Sequence, residues 1–105
     1  MSQNEFKAQS YKFRIKKMNA IELLALRTTL DFENIEKLQA TYNNMLERVE
    51  VNIKDDKWIQ VKQGDDYYPA GIEDNLELIE LIVKEFLNYI KAVFLKSNES
   101  KKAQD

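Results

Sequence analysis

Apolar and polar positions change their spacing several times along the chain, and each change predicts an element. Residues Tyr11 to Lys16 alternate strictly between apolar and basic side chains, which predicts a half-buried strand. A helical period of three to four follows from Ala20 to about Thr28, and Asn19 and Glu22 have the spacing of a capping box at its start. This first helix is apolar on nearly all sides, so we expect it to be well buried. A second amphipathic helix with a narrow apolar stripe is expected to begin at Asp31.

The period then changes to two, which predicts a β-hairpin. The first arm is Val49 to Ile53, and the second arm, Trp58 to Lys62, follows a short polar link. Ile59 and Val61 are favoured for the inner face because β-branched residues suit a covered sheet. Trp58 would then lie on the outer face as a candidate contact residue, whereas the opposite register would place it in the core. The sequence leaves both registers open.

A long helix from about Asp74 to Lys96 carries apolar residues over roughly half of its circumference, and Asp74 with Glu77 repeats the cap spacing at its start. A surface helix of a small monomer needs a stripe of only about 100°. The excess predicts either a second chain against this helix or a central helix that its own domain covers on both sides.

These elements predict the fold class and the domain organisation. We expect a single α+β domain over residues 11–96, between flexible tails at residues 1–10 and 97–105. The domain should contain a small antiparallel sheet of about three strands, made of the N-terminal strand and the hairpin. Three helices should pack on one face of the sheet, with the C-terminal helix the longest.

Composition narrows the chemistry. The 105 residues include 16 basic and 18 acidic side chains and no histidine or cysteine, with a net charge of −2. This balance argues against nucleic acid or an anionic membrane as a partner. The commonest general base, the thiol nucleophile and the usual metal ligands are absent, so we expect no enzyme, no cofactor and no metal site. The pairs Asp55-Asp56 and Asp65-Asp66 fit turns better than a metal site. A reducing cytoplasm, with neither a signal peptide nor a membrane span, is the expected setting.

Several local strings of the chain together carry a resemblance to a known family. They are Phe13–Asn19, Glu22–Leu26, Asp31-Phe32, Trp58–Lys62, Tyr68–Glu73 and Val93-Phe94. These strings resemble the tail assembly chaperones of long-tailed phages and prophages of Gram-positive bacteria. The resemblance extends over about residues 11–97 and rests on structural motifs.

The resemblance implies a non-enzymatic binding protein. Such chaperones coat the helical tape measure protein during tail morphogenesis in the host cytoplasm, and they are not expected in the mature virion. The tape measure protein is therefore the expected partner, with the major tail protein as a further candidate and self-association as a way to protect the apolar surface. Two alternatives remain: another phage structural protein, such as a tail-completion or head–tail joining protein, and a small protein-binding regulatory adaptor.

A chaperone for an apolar helical client needs an exposed hydrophobic groove. We therefore hypothesise that parts of an aromatic and aliphatic surface contact the client or sister subunits. The candidate residues are Trp58, Tyr67, Tyr68, Leu78, Leu81, Phe86, Tyr89 and Phe94.

Overall fold

A computed structural model describes the backbone of residues 4–104 and the side chains of residues 4–95. Within that part of the chain, six strands and three α-helices follow one another. Their order is β1 (Glu5–Ala8), β2 (Tyr11–Ile15), α1 (Ala20–Thr29), α2 (Leu38–Leu46), β3 (Val49–Lys54), β4 (Lys57–Gln60), β5 (Lys62–Gln63), β6 (Asp66–Tyr67) and α3 (Leu76–Gln104). Short 3-10 turns at Ile35–Lys37 and Ile72–Asp74 precede α2 and α3.

An antiparallel sheet with the order β1-β2-β3-β4 forms the base of the domain. Phe13 pairs with Val51, and Val51 pairs with Ile59, so these side chains share the face that packs on the helices. The α+β class, the antiparallel sheet and the longest helix at the C-terminus are confirmed. The favoured hairpin register is also the observed one: Val61 is fully buried, and Trp58 lies on the outer face.

The first strand, β1, lies within the segment predicted as a flexible N-terminal tail, and that prediction is wrong for Glu5–Ala8. These residues pair with β2 and place Phe6 against Phe13, with ring centroids 5.4 Å apart. The turn that joins the two strands has Gln9 at a φ of 55° and contains no glycine, so the usual turn signal is missing. Residues 1–3 of the predicted tail lie outside the described residues.

The C-terminal tail predicted for residues 97–105 also differs from the structure. The backbone of α3 remains helical to Gln104, and Asp105 lies outside the described residues.

Helix starts follow local capping chemistry. At α1 the predicted capping box is confirmed: the Glu22 backbone N–H donates to Asn19 Oδ1 at 2.8 Å, and the Asn19 backbone N–H donates to Glu22 Oε1 at 3.3 Å. Asp31 does not cap α2, because its Oδ1 accepts from the backbone N–H groups of the next turn, and α2 begins only at Leu38. At α3 the cap is Asn75 instead of Asp74, since Asn75 Oδ1 accepts from the backbone N–H of Leu78 at 3.1 Å.

The hydrophobic core lies between the inner face of the sheet and the three helices. Phe13, Met45 and Phe86 are fully buried members of it from β2, α2 and α3. The expectation that α1 is well buried is wrong. Only Leu26 of α1 is buried, while Ile21 is 79% and Leu24 50% exposed. One face of the first helix is therefore left open to solvent.

Candidate protein-binding groove

The apolar surface of α3 divides into two adjacent stripes, and one of them is completely used by the domain itself. Leu78, Ile82, Phe86 and Ile90 recur every fourth residue and are buried against the sheet and its neighbouring helices. This stripe makes α3 the central helix of the core. The interpretation of α3 as the domain's own packing element is thus correct for this stripe.

A second stripe lies roughly 90° further around the helix, and it is only partly covered. Leu76, Ile79, Val83 and Leu87 form the floor of an open groove of about 570 Å³, and Tyr42 of α2 forms its opposite wall. Leu76 is 71% exposed, although it is a large apolar side chain. The domain therefore has apolar helical surface that a single copy of the chain leaves in contact with solvent.

The rim of the groove is polar and differs on its two sides. Glu80, Lys84 and Asn88 line the side that faces solvent on α3. On the α2 side, the Tyr42 ring meets the Phe32 ring edge-on, with centroids 5.9 Å apart, and Phe32 itself is exposed. An apolar floor with a polar rim is the usual anatomy of a protein-binding surface.

A smaller cavity of about 320 Å³ lies on the other side of α3, against β1. Tyr89, Ala92 and Val93 line it from the helix, together with Phe6 and the carboxylate of Glu85. Tyr89 is half-buried here, so this predicted contact residue faces a cavity separate from the groove. Its acidic lining makes it less suited than the groove to an apolar helix.

Trp58 lies on the outer face of the sheet, where cationic side chains cover it. The guanidinium carbon of Arg14 is 4.2 Å from the centre of the indole ring, and Lys12 Nζ is 6.0 Å away. Arg14 is itself held by Glu50, with Nε donating to Oε1 at 2.7 Å. The indole is half-buried and partnered within the chain, so it belongs to an ordered charged surface and not to an open apolar patch.

The loop that precedes α3 holds the two predicted tyrosines in different environments. Tyr67 donates its hydroxyl proton to Asn43 Oδ1 at 3.0 Å, and Lys62 Nζ lies 5.5 Å from its ring centre. Lys62 is buried and also donates to the carbonyl of Gly64, which fixes the small β5–β6 hairpin. Tyr67 is therefore a structural residue of this hairpin, whereas Tyr68 is exposed on the loop.

The structure corrects part of the sequence-based list of contact residues. Leu78 and Phe86 are 1% and 0% exposed, so they pack inside the domain and cannot meet a partner. Leu81 is 37% exposed but does not line the groove. Phe94 packs under Arg27 of α1, and the guanidinium carbon of Arg27 is 5.3 Å from the centre of the Phe94 ring. The predicted residues do not converge on one surface.

The groove residues were missed because the sequence does not show which stripe of α3 meets the sheet. The useful signal was present in α2, where the apolar positions form a narrow stripe that includes Tyr42. A narrow stripe on α2 next to a wide arc on α3 means that α2 cannot cover the whole arc.

Two further observations limit the chemistry of the domain. Among the residues that the structure describes, no group of three or more acidic side chains is placed to hold a metal ion, and the sequence has no His or Cys. None of the helices in that same part of the chain combines the length and apolar character that a membrane crossing requires.

Comparisons with known proteins add no relative. No protein-family model, curated protein or solved structure matches this chain.

Proposed function

We propose that this protein is a non-enzymatic assembly chaperone that holds an apolar helix in the groove between α2 and α3. The observation that carries the proposal is the incompletely covered second stripe of α3, with Leu76, Val83 and Leu87 on its floor and Tyr42 on the facing helix. A helix laid along such a groove presents anchors at intervals of three and four residues. The groove is therefore suited to an amphipathic helical partner.

The phage context of the proposal comes from the resemblance over about residues 11–97, and the proposed client is the one that this resemblance implies. In this proposal the partner is the tape measure protein, a long helical protein that needs protection until the tail tube forms around it. The major tail protein is a second candidate partner. The chaperone acts in the cytoplasm of the bacterial host and is absent from the mature virion. The lack of His and Cys is compatible with a role that needs no catalysis.

The proposal is tested by co-expressing the chain with its proposed client, a tape measure protein of the same phage or prophage, and isolating the complex through a tag on the chain. Wild-type chain should keep the tape measure protein soluble and bring it down. Leu76→Gln should weaken binding about tenfold or more, because burial of a leucine side chain stabilises a complex by about 1.5–3 kcal/mol.

Ile21→Gln is the matched control. Ile21 is as exposed as Leu76 and lies in the first turn of another helix, but it does not line the groove. The control should bind like wild type. Equal loss in both variants, or no loss in either, contradicts binding in the groove. Recovery of the chain from purified virions in stoichiometric amount contradicts the chaperone role and supports a tail-completion or head–tail joining protein.

A further inference from the structure

The groove between α2 and α3 also has the features of a surface that pairs with a copy of itself. Its rim on α3 carries one acid and one base a single helical turn apart, Glu80 and Lys84, and both are exposed. Within the described side chains, neither of the two forms an ion pair or hydrogen bond inside the chain. Both charges are therefore available to another molecule.

A twofold axis that lies in the interface and is perpendicular to α3 relates two antiparallel copies of this helix. The polar rims of the two copies then lie on the same side of the interface. Under that operation Glu80 of one copy faces Lys84 of the other, and Lys84 faces Glu80. The interface therefore contains two attractive ion pairs, each between Glu80 of one copy and Lys84 of the other.

The apolar floor independently gives the same alignment. A twofold axis that lies beside Leu81 and Ile82 places Leu76 opposite Leu87 of the second copy, and it places Ile79 opposite Val83. The pairing of Glu80 with Lys84 requires an axis beside Ile82. The charged pairs and the apolar pairs therefore place the axis within one residue of each other along α3. The highly exposed Leu76 then packs at the far end of the other copy's groove, where an apolar surface is available.

We infer that, in the absence of a client, two copies of this chain dimerise through antiparallel α3 helices in this register. Tyr42 of α2 and Phe32, which lies in the segment before α2, border the contact in both copies. The dimer covers the apolar floor and prevents non-specific association. A client helix and the second copy compete for the same groove. The inference does not depend on the identity of the client.

Charge reversal at Glu80 and Lys84 tests the register of the dimer, and sedimentation equilibrium measures the dimer dissociation constant. A protein concentration of about 1 to 500 µM covers dissociation constants from micromolar to nearly millimolar. Wild type should reach twice the 12.4 kDa mass of one chain. Glu80→Lys places lysine against lysine, and Lys84→Glu places glutamate against glutamate. Each variant alone should raise the dimer dissociation constant about tenfold, because two attractive pairs become two repulsive ones.

An equimolar mixture of the two variants restores both opposite-charge contacts and should recover the dimer as a heterodimer. A change in the stability of each helix by itself cannot produce this rescue. Higher salt should reduce all of these differences. The exposed Lys7 on β1 offers the control, since Lys7→Glu makes the same charge change away from the groove and should dimerise like wild type.

A strictly monomeric wild-type chain at 500 µM would overturn the inference. Dimers of unchanged affinity in both single variants, or a mixture that remains monomeric, would overturn the register. These results are separate from client binding, which the tape measure co-expression measures directly.

Discussion

Deleting the same kind of side chain from the two stripes of α3 should destabilise the domain strongly in one stripe and hardly at all in the other. Ile82 belongs to the buried stripe and is fully inaccessible, whereas Leu76 belongs to the groove and is 71% exposed. Ile82→Ala leaves a cavity among close-packed neighbours and should lower the free energy of unfolding by about 2–5 kcal/mol. Leu76→Ala should change it by no more than about 0.5 kcal/mol, because solvent already surrounds most of this side chain.

The loss expected for Ile82→Ala is a large part of the free energy of unfolding of a domain of this kind, which is roughly 5–15 kcal/mol. Urea denaturation followed by the fluorescence of Trp58 measures both variants. With a urea dependence of about 1–3 kcal/mol/M, the midpoint of Ile82→Ala should fall by about 1 M or more. Each variant is measured at two protein concentrations, so that a change in self-association appears as a concentration-dependent midpoint. Equal destabilisation by the two substitutions would refute the division of α3 into a core stripe and a groove stripe.

Three further predictions concern the elements that build the domain. Asn19→Ala removes one half of the capping box of α1 and should cost about 1 kcal/mol, seen as a fall of about 4 °C in thermal midpoint; an unchanged midpoint would contradict the capping role. Thr41→Val removes a buried hydroxyl that accepts from the backbone N–H of Asp31 at 3.1 Å and donates to its carbonyl at 3.2 Å. Urea denaturation should show a loss of about 1–3 kcal/mol, and wild-type stability would show that these bonds are dispensable. Arg14→Gln uncovers Trp58 and should increase acrylamide quenching of its fluorescence, with a stability change within about 1 kcal/mol; unchanged quenching would contradict the stacked arrangement.

The sequence predicted those parts of the fold in which local chemistry and periodicity agree. The capping box at Asn19 is defined by a single turn, and the alternation that begins at Val49 places Val49 and Val51 on the buried face, although Ile53 at the irregular end of the strand is 43% exposed. The choice of the inner face at Ile59 also followed from side-chain shape. Each of these features depends on residues that are close together in the chain.

The prediction failed where tertiary pairing or competing caps decided the outcome. β1 is four residues long and its turn carries no glycine, so only its pairing with β2 identifies it as a strand. Asp31 and Asp74 have the sequence signature of helix caps, but Asp31 is used in a turn and Asn75 is the better-placed cap of α3. The starts of α2 and α3 therefore lie seven and two residues later than predicted.

The candidate site was only partly predictable for a related reason. The width of the apolar arc on α3 correctly indicated surface that the domain does not fully cover. The individual residues depended on the rotation of α3 about its axis, and packing against the sheet sets that rotation. Leu78 and Phe86 consequently proved to be core residues, and Leu76 and Val83 form the groove.

In the proposal, another protein docks in the groove between α2 and α3. Methyl NMR of isotope-labelled chain, titrated with helical segments of the proposed client, a tape measure protein, tests this docking site. We predict that the methyl signals of Leu76, Ile79, Val83 and Leu87 shift together and saturate with one affinity, while the signals of the buried Ile82 move little. Binding that leaves the signals of these four residues unchanged and instead perturbs residues around Trp58 or on α1 would contradict docking in the groove.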